Sequence, residues 1–266
     1  MDNRPATLTY PSSPQAKPRE ELLFSPGDSF GKRYRIIEEI GRGGMGRVYK
    51  AEDRELGITV ALKMIRPGVS EFEIAEAIEG YARARGAEQH FTLIGSGKFI
   101  LGDRDSLPLP YSPSSRRIET GDSVVMEITP CYEGYWTQLV RTVNVGRPNH
   151  DLEKLQKICC GAIRKGLEVF GPGKTVKQVV LAMEAYVTGA GYLLKPPLGH
   201  LCGVDLIEAR VSPQNEMVLQ LGMAVIIHPT VFTPDGENSF FCGETYLVTK
   251  DRYERLHKTG DELLTV

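Results

Sequence analysis

Four glycines fall within six residues, at Gly41, Gly43, Gly44 and Gly46, between two stretches that alternate like β-strands, 34–40 and 47–51. Glycine lacks a Cβ and reaches backbone conformations closed to other residues, so the cluster fixes a tight reversal between two strands. A turn at 53–57 and a third alternating stretch at 58–65 follow, closed by Pro67-Gly68. The sequence therefore predicts a three-stranded antiparallel meander. Because the glycines join strand to strand, the strand–glycine–helix order of a Rossmann dinucleotide site is excluded. Residues 1–30 differ in texture, with Pro5, Pro11, Pro14, Pro18 and Pro26 among Ser, Thr and charged residues. Such a stretch buries too little apolar surface to offset its ordering entropy, and it reads as a disordered lead-in.

Beyond the meander the periodicity mixes. Residues 71–85 carry Phe72, Ile74, Ala75, Ile78, Tyr81 and Ala82 at helical spacing. Stretches 124–128 and 134–145 read as paired strands. Stretches 152–170 and 176–189 read as helices broken by Gly171-Pro-Gly173, and 223–227 and 244–248 as later strands. Strands and helices interleave, which places the chain in the α+β class. With 266 residues, 41% of them hydrophobic, it can bury a substantial core. A formal net charge of −2 argues against a nucleic-acid partner, and no basic amphipathic stretch suggests a membrane surface. No segment reaches the roughly 18 apolar residues of a membrane span, and the N-terminus lacks a signal pattern, so cytoplasmic residence is expected. Five cysteines (Cys131, Cys159, Cys160, Cys202 and Cys242) with no CxxC predict reduced, buried thiols rather than disulfides or a cysteine zinc site.

Gly41-Arg-Gly43-Gly-Met-Gly46-Arg-Val48 fits G-x-G-x-x-G-x-V, and Val60-Ala-Leu-Lys63 follows on the next strand. Residues 34–66 resemble the start of a bacterial-type Ser/Thr protein kinase. By that resemblance Gly41, Gly43, Gly46 and Val48 would cover a nucleotide such as Mg-ATP, and Lys63 would reach its phosphates. Glu76 or Glu79 would stand where a kinase helix supplies the lysine's partner. A kinase also needs H-R-D-x-x-x-x-N and D-F-G, and neither occurs anywhere in the chain. Phosphotransfer is therefore not expected, and ATP binding would be weak.

Further on, Gly121-Asp-Ser-Val-Val-Met-Glu127, Gly134-Tyr-Trp-Thr-Gln138-Leu-Val-Arg141-Thr142, Leu198-Gly-His200-Leu-Cys-Gly203-Val-Asp205-Leu-Ile207-Glu208, Gly222-Met-Ala-Val-Ile-Ile-His228-Pro229 and Gly243-Glu-Thr-Tyr-Leu-Val-Thr249 stand in order. These blocks resemble the creatinase/methionine aminopeptidase/prolidase family (M24) over about 67–266. The resemblance implies the α+β "pita-bread" fold. The organisation is then a lead-in at 1–30, a truncated kinase-type lobe at 31–67 and an M24-like domain at 68–266.

In that family two metal ions are held by two Asp, one His and two Glu. Carried over, the five positions are Glu127, Gln138, His200, His228 and Gly243, and only the histidine is unchanged. Gln138 is neutral and Gly243 has no side chain, so a bridging pair of cations is not expected. Glu244 adjoins Gly243 but should face the opposite side of its strand. The histidine that many members carry before a Tyr-x-Pro run falls at Pro110, and a second one at Ile207. Glu127, His200 and His228 remain, a set that suits a single zinc or iron(II) ion.

The leading expectation is a catalytically altered M24-fold protein that binds a small molecule or peptide. The alternatives are a hydrolase or lyase using Glu127, His200 and His228, and an ATP-binding regulatory module. The meander stands where the family has a covering helix, so either it covers that apolar face itself or the face is left as a patch that invites association, a homodimer among the expectations. Gly171-Pro-Gly-Lys-Thr175 and Gly95-Ser-Gly-Lys98 fail as Walker motifs, and His90, His150 and His257 read as ordinary surface or core residues.

Overall fold

The structure, a computed structural model, describes residues 24–30, 33–43, 46–54, 57–63, 65–98, 111–147, 150–261 and 263–266. Residues 1–23 of the lead-in, 44–45 of the glycine loop and Pro110 lie outside them, as do the side chains of 40–48 and 58–64, Val48 and Lys63 among them. The chain divides into two compact units, the first carrying most of a four-stranded sheet and the second running from Lys63 to Val266 with residues 42–47.

The first unit orders its strands β1 (Ser29–Phe30), β2 (Tyr34–Gly43), β3 (Gly46–Asp53) and β4 (Ile58–Lys63) side by side. The three expected strands are joined by a fourth, β1, inside the stretch that reads as a lead-in. Aromatic burial accounts for it. Phe24 sets its ring edge against Phe30 at 5.9 Å and against the fully buried Tyr49 at 5.8 Å. Arg33 closes the far end with a two-pronged bond to the buried Asp53.

The second unit begins with α1 (Glu71–Arg83), whose capping box joins Ser70 and Glu73 reciprocally. Then come β5 (Gln89–Gly97), β6 (Ser123–Tyr132), β7 (Tyr135–Trp136), β8 (Leu139–Asn144), α2 (His150–Glu168) and α3 (Val176–Gly189). The remainder is β9 (Leu193–Leu194), β10 (Gly199–Cys202), β11 (Ala209–Arg210), β12 (Ala224–Ile227), β13 (Thr230–Phe232), β14 (Ser239–Phe241), β15 (Gly243–Thr249), β16 (Arg252–Arg255) and β17 (Leu264–Thr265). A ten-stranded sheet runs β11-β10-β12-β15-β8-β6-β5, with β16, β17 and β7 paired beside that path. β14, β13 and β9 form a separate small sheet.

Period-2 alternation decides what each face meets. Val124 and Met126 of β6 join a core cluster with Val69, Ile74 and Ala75 around α1, with Ile128 packed against its edge. Val125, Glu127 and Thr129 alternate with them and face the other way. On the other half of the sheet, Leu201, Val225, Ile227, Tyr246 and Val248 pack on α2 and α3. Those helices present Leu155, Cys159, Ala162, Val180, Met183 and Val187 at helical spacing. Each leucine, valine or methionine among them contributes about 1.5–3 kcal/mol when fully buried. Thr175 caps α3 through its own capping box with Gln178, so 171–175 is a helix–helix turn, and Gly95-Ser-Gly lies within β5. No described helix is long and apolar enough to cross a membrane.

Candidate functional site

Glu127 stands in the middle of β6, opposite Val140 of β8, and is buried. Gln138, just ahead of β8, points its amide back across the pair. Its Nε2 donates to Glu127 Oε1 at 2.8 Å and to Thr129 Oγ1 at 3.1 Å. A polar chain fixes the Gln138 backbone: its N–H donates to Thr245 Oγ1 at 2.9 Å, and that hydroxyl donates to Gln138 O at 3.1 Å. Thr137 Oγ1 donates to the same hydroxyl at 2.9 Å and lies 3.1 Å from His257 Nε2.

His200 on β10 and His228 just after β12 meet edge to face with ring centroids 5.4 Å apart. The His228 ring lies 5.2 Å from Phe241, which packs with Val125 and with Val140, the cross-strand partner of Glu127. The predicted site residues thus assemble as two pairs, Glu127 with Gln138 and His200 with His228, flanking Phe241 and Val140. Among the described residues no three His, Cys, Asp or Glu side chains are grouped to hold a metal ion.

Burial sets the protonation of both pairs. Desolvation pushes the Glu127 carboxyl up to about 7, and the Gln138 hydrogen bond opposes only part of that rise. Desolvation lowers both histidines, and His200 adds to the effect on His228, taking it to about 3. At neutral pH the rings are uncharged and the carboxyl sits near half-protonation. Each of these four residues keeps one buried polar atom with no partner among the described residues: Glu127 Oε2, Gln138 Oε1, His200 Nδ1 and His228 Nδ1. Buried polar atoms are rarely left unpaired, so four together mark a place built to receive hydrogen-bonding groups.

Gly243 lies opposite Val140, and its backbone is pressed against the β12 end. A Cβ there would overlap the Ile227 carbonyl oxygen and His228 Cα. No side chain fits at this position. Its neighbour Glu244 turns to the opposite face, as strand alternation requires, where Arg141 Nη2 pairs with it at 2.8 Å, Arg255 Nε contacts it and Tyr246 donates to it.

The block order, the ten-stranded sheet and the position of these pairs agree with one family. The profile of metallopeptidase family M24 matches residues 53–250. The chain belongs to metallopeptidase family M24. It is 32% identical over 218 residues to an Xaa-Pro dipeptidase of Pyrococcus horikoshii, covering 80% of this chain and 60% of that protein. It is 31% identical over 265 residues to an Xaa-Pro dipeptidase of Pyrococcus furiosus, covering 97% and 74%. The solved prolidase from Pyrococcus horikoshii OT3 superposes with a TM-score of 0.67 at 34% identity, over 75% of this chain and 57% of that one. The chain therefore spans only about three fifths of the first of these relatives. Its second unit has the pita-bread M24 fold.

The M24 ligand set implied by the resemblance does not fit a pair of metal ions in this chain. An amide donor occupies the position of a bridging carboxylate and is bonded to the one carboxylate that remains. The fifth position admits no side chain at all. Sequence reasoning carried both positions over from the family resemblance. It missed Thr245, His257 and Thr129, which hold Gln138 in place; Thr245 stands in a quoted block, but threonine carries no recognisable signal by itself.

Proposed function

We propose that this M24 protein uses its altered site to bind an uncharged, hydrogen-bonding ligand, a small molecule or a peptide, rather than to hydrolyse peptides with two metal ions. The observation that carries this reading is the Gln138 amide donating to Glu127. It neutralises the site where paired carboxylates would concentrate negative charge. The unpaired atoms of Glu127, Gln138, His200 and His228 supply acceptors and donors for a ligand's amide or hydroxyl groups. The relatives are named for Xaa-Pro dipeptides, so N-acetylated, C-amidated Xaa-Pro dipeptides, which carry no terminal charge, are the first ligands to try. Binding by calorimetry should be detectable for the native chain without added metal and lost in His200→Ala that keeps its circular dichroism. Binding that appears only with added zinc, iron(II) or manganese would overturn the reading in favour of a metal-dependent hydrolase.

For the sheet of β1–β4 we infer a weak phosphate cradle. Its support is that the glycine motif spans the end of β2 and the start of β3, two adjacent strands of one sheet. The residues are Gly41, Gly43, Gly46 and Lys63, with no phosphotransfer. A thermal shift with Mg-ATP that persists in Lys63→Met would remove this reading.

A further inference from the structure

Three of the five cysteines lie together behind the candidate site. Cys159 and Cys160 sit on α2, and Cys242 stands between β14 and β15, immediately before Gly243. The Cys159 and Cys242 sulfurs are 3.4 Å apart, and those of Cys160 and Cys242 are 4.0 Å apart. Cys159 also donates to the Pro229 carbonyl at 3.3 Å, next to His228. All three thiols are free and buried. A cavity of about 160 Å³ nonetheless reaches the group: Cys160 and Cys242 line it beside Arg141, Glu244 and Arg255.

We propose that Cys159 and Cys242 form a modification site that a small hydroperoxide oxidises to an intramolecular disulfide. A disulfide needs sulfurs brought to about 2.05 Å, a short closure from 3.4 Å between elements already packed together. The reaction balances in two steps. The Cys242 sulfur attacks the terminal peroxide oxygen, the O–O bond breaks, and the thiol proton leaves on the departing alcohol or water, giving a sulfenic acid. The Cys159 sulfur then attacks the sulfenic sulfur, the S–O bond breaks, and the hydroxide departs with the Cys159 proton as water. Two thiols are oxidised and one hydroperoxide is reduced by two electrons. Cys242 is the first target because it lines the cavity, and Cys159 resolves because its sulfur is the nearer.

Proximity rather than acidity carries this assignment. The bond to Cys159 and burial hold Cys242 protonated, and the bond to Cys242 and burial do the same for Cys160. The thiols are therefore slow at neutral pH and respond to sustained oxidant. Once formed, the bond ties α2 to the segment joining Phe241, which touches the His228 ring, to Gly243, which packs on His228.

The test treats the full chain, freed of reductant, with hydrogen peroxide and maps its sulfurs by intact and tandem mass spectrometry. The expected result is a monomer lighter by two hydrogen atoms, with three of its five thiols left and a Cys159–Cys242 linkage. Cys131→Ser and Cys202→Ser should leave that result unchanged. Cys159→Ser should slow the hydrogen loss at least tenfold, since the next thiol stands farther off. The wild-type linkage map decides the matter even if a variant fails to fold. Retention of all five thiols, oxygen addition without linkage, a bond between chains, or a linkage involving other cysteines would each overturn the proposal.

Discussion

Gly243 and Glu244 are neighbours on β15, yet they belong to two opposite kinds of interior. On the Glu244 face the carboxylate itself is paired, held by Arg141 and Arg255 with Tyr246 donating to it, although Arg141 Nε has no partner there among the described residues. On the Gly243 face charge is absent or suppressed, and four polar atoms of Glu127, Gln138, His200 and His228 wait without partners. Paired charge is a structural device, whereas unpaired polar atoms serve the fold poorly and suit a ligand. The contrast predicts that mutations on the first face damage stability and those on the second damage binding. The largest effect belongs to the Arg141→Met/Arg255→Met double variant, which strips the buried Glu244 carboxylate of both cations and should cost about 3–5 kcal/mol in urea unfolding. A loss below about 1 kcal/mol would dissolve the distinction between the two faces.

Next in size is Gly243→Ala. The added methyl group meets backbone atoms of Ile227 and His228, which cannot swing away as a flexible side chain can. Overpacking of this kind costs about 3 kcal/mol. Gly243→Glu, which would restore a carboxylate at the family's position, should destabilise at least as much and bring no stoichiometric metal. Tight metal binding by a folded Gly243→Glu protein would show that the strand can open and that the loss of the site is shallower than the packing implies.

A smaller effect separates the two faces by pH. Glu127 has its folded pKa raised from 4.5 to about 7, so the unfolded chain releases this proton first. Its contribution to stability therefore falls as pH rises from 4.5 to 7. His228 is lowered from 6.5 to about 3, so the unfolded chain gains that proton first and stability falls as pH drops from 6.5 to 3. The two trends oppose each other between pH 4.5 and 6.5. Glu127→Gln removes one of them: it should gain about 2–3 kcal/mol on the wild type at pH 8 and nothing at pH 4. An equal difference at both pH values would show that the carboxyl titrates normally.

Most of this arrangement is legible in the sequence, because block order carries fold and strand alternation carries facing. The blocks around Glu127, Gln138, His200, His228 and Gly243 identify the M24 fold. The opposite facing of Glu244 follows from its place beside Gly243. Long amphipathic segments such as 176–189 announce their own ends through Thr175 and the following glycines. Less legible is how the three candidate ligands group, because spacing along a chain does not give distance across a sheet: the structure pairs His200 with His228 and leaves Glu127 with Gln138. Cys242 lies 83 residues from Cys159, and only the packing of α2 on β14 brings the thiols together. Strand β1 was hidden because two aromatics in a proline-rich stretch carry no periodicity.

The smallest effect tests whether the support of Gln138 belongs to the structural face or to the binding face. Thr245 is fully buried, and its hydroxyl holds both the N–H and the carbonyl of Gln138 while accepting from Thr137. Thr245→Val keeps the shape and removes these bonds, at about 1–2 kcal/mol of stability for the orphaned backbone groups. If the threonine positions the amide for a ligand, affinity measured by calorimetry should fall about tenfold, while Glu127→Gln in the same background adds little more because the two act through one bond. Additive losses in that double-mutant cycle would place Thr245 with the scaffold, and the site would then end at Gln138.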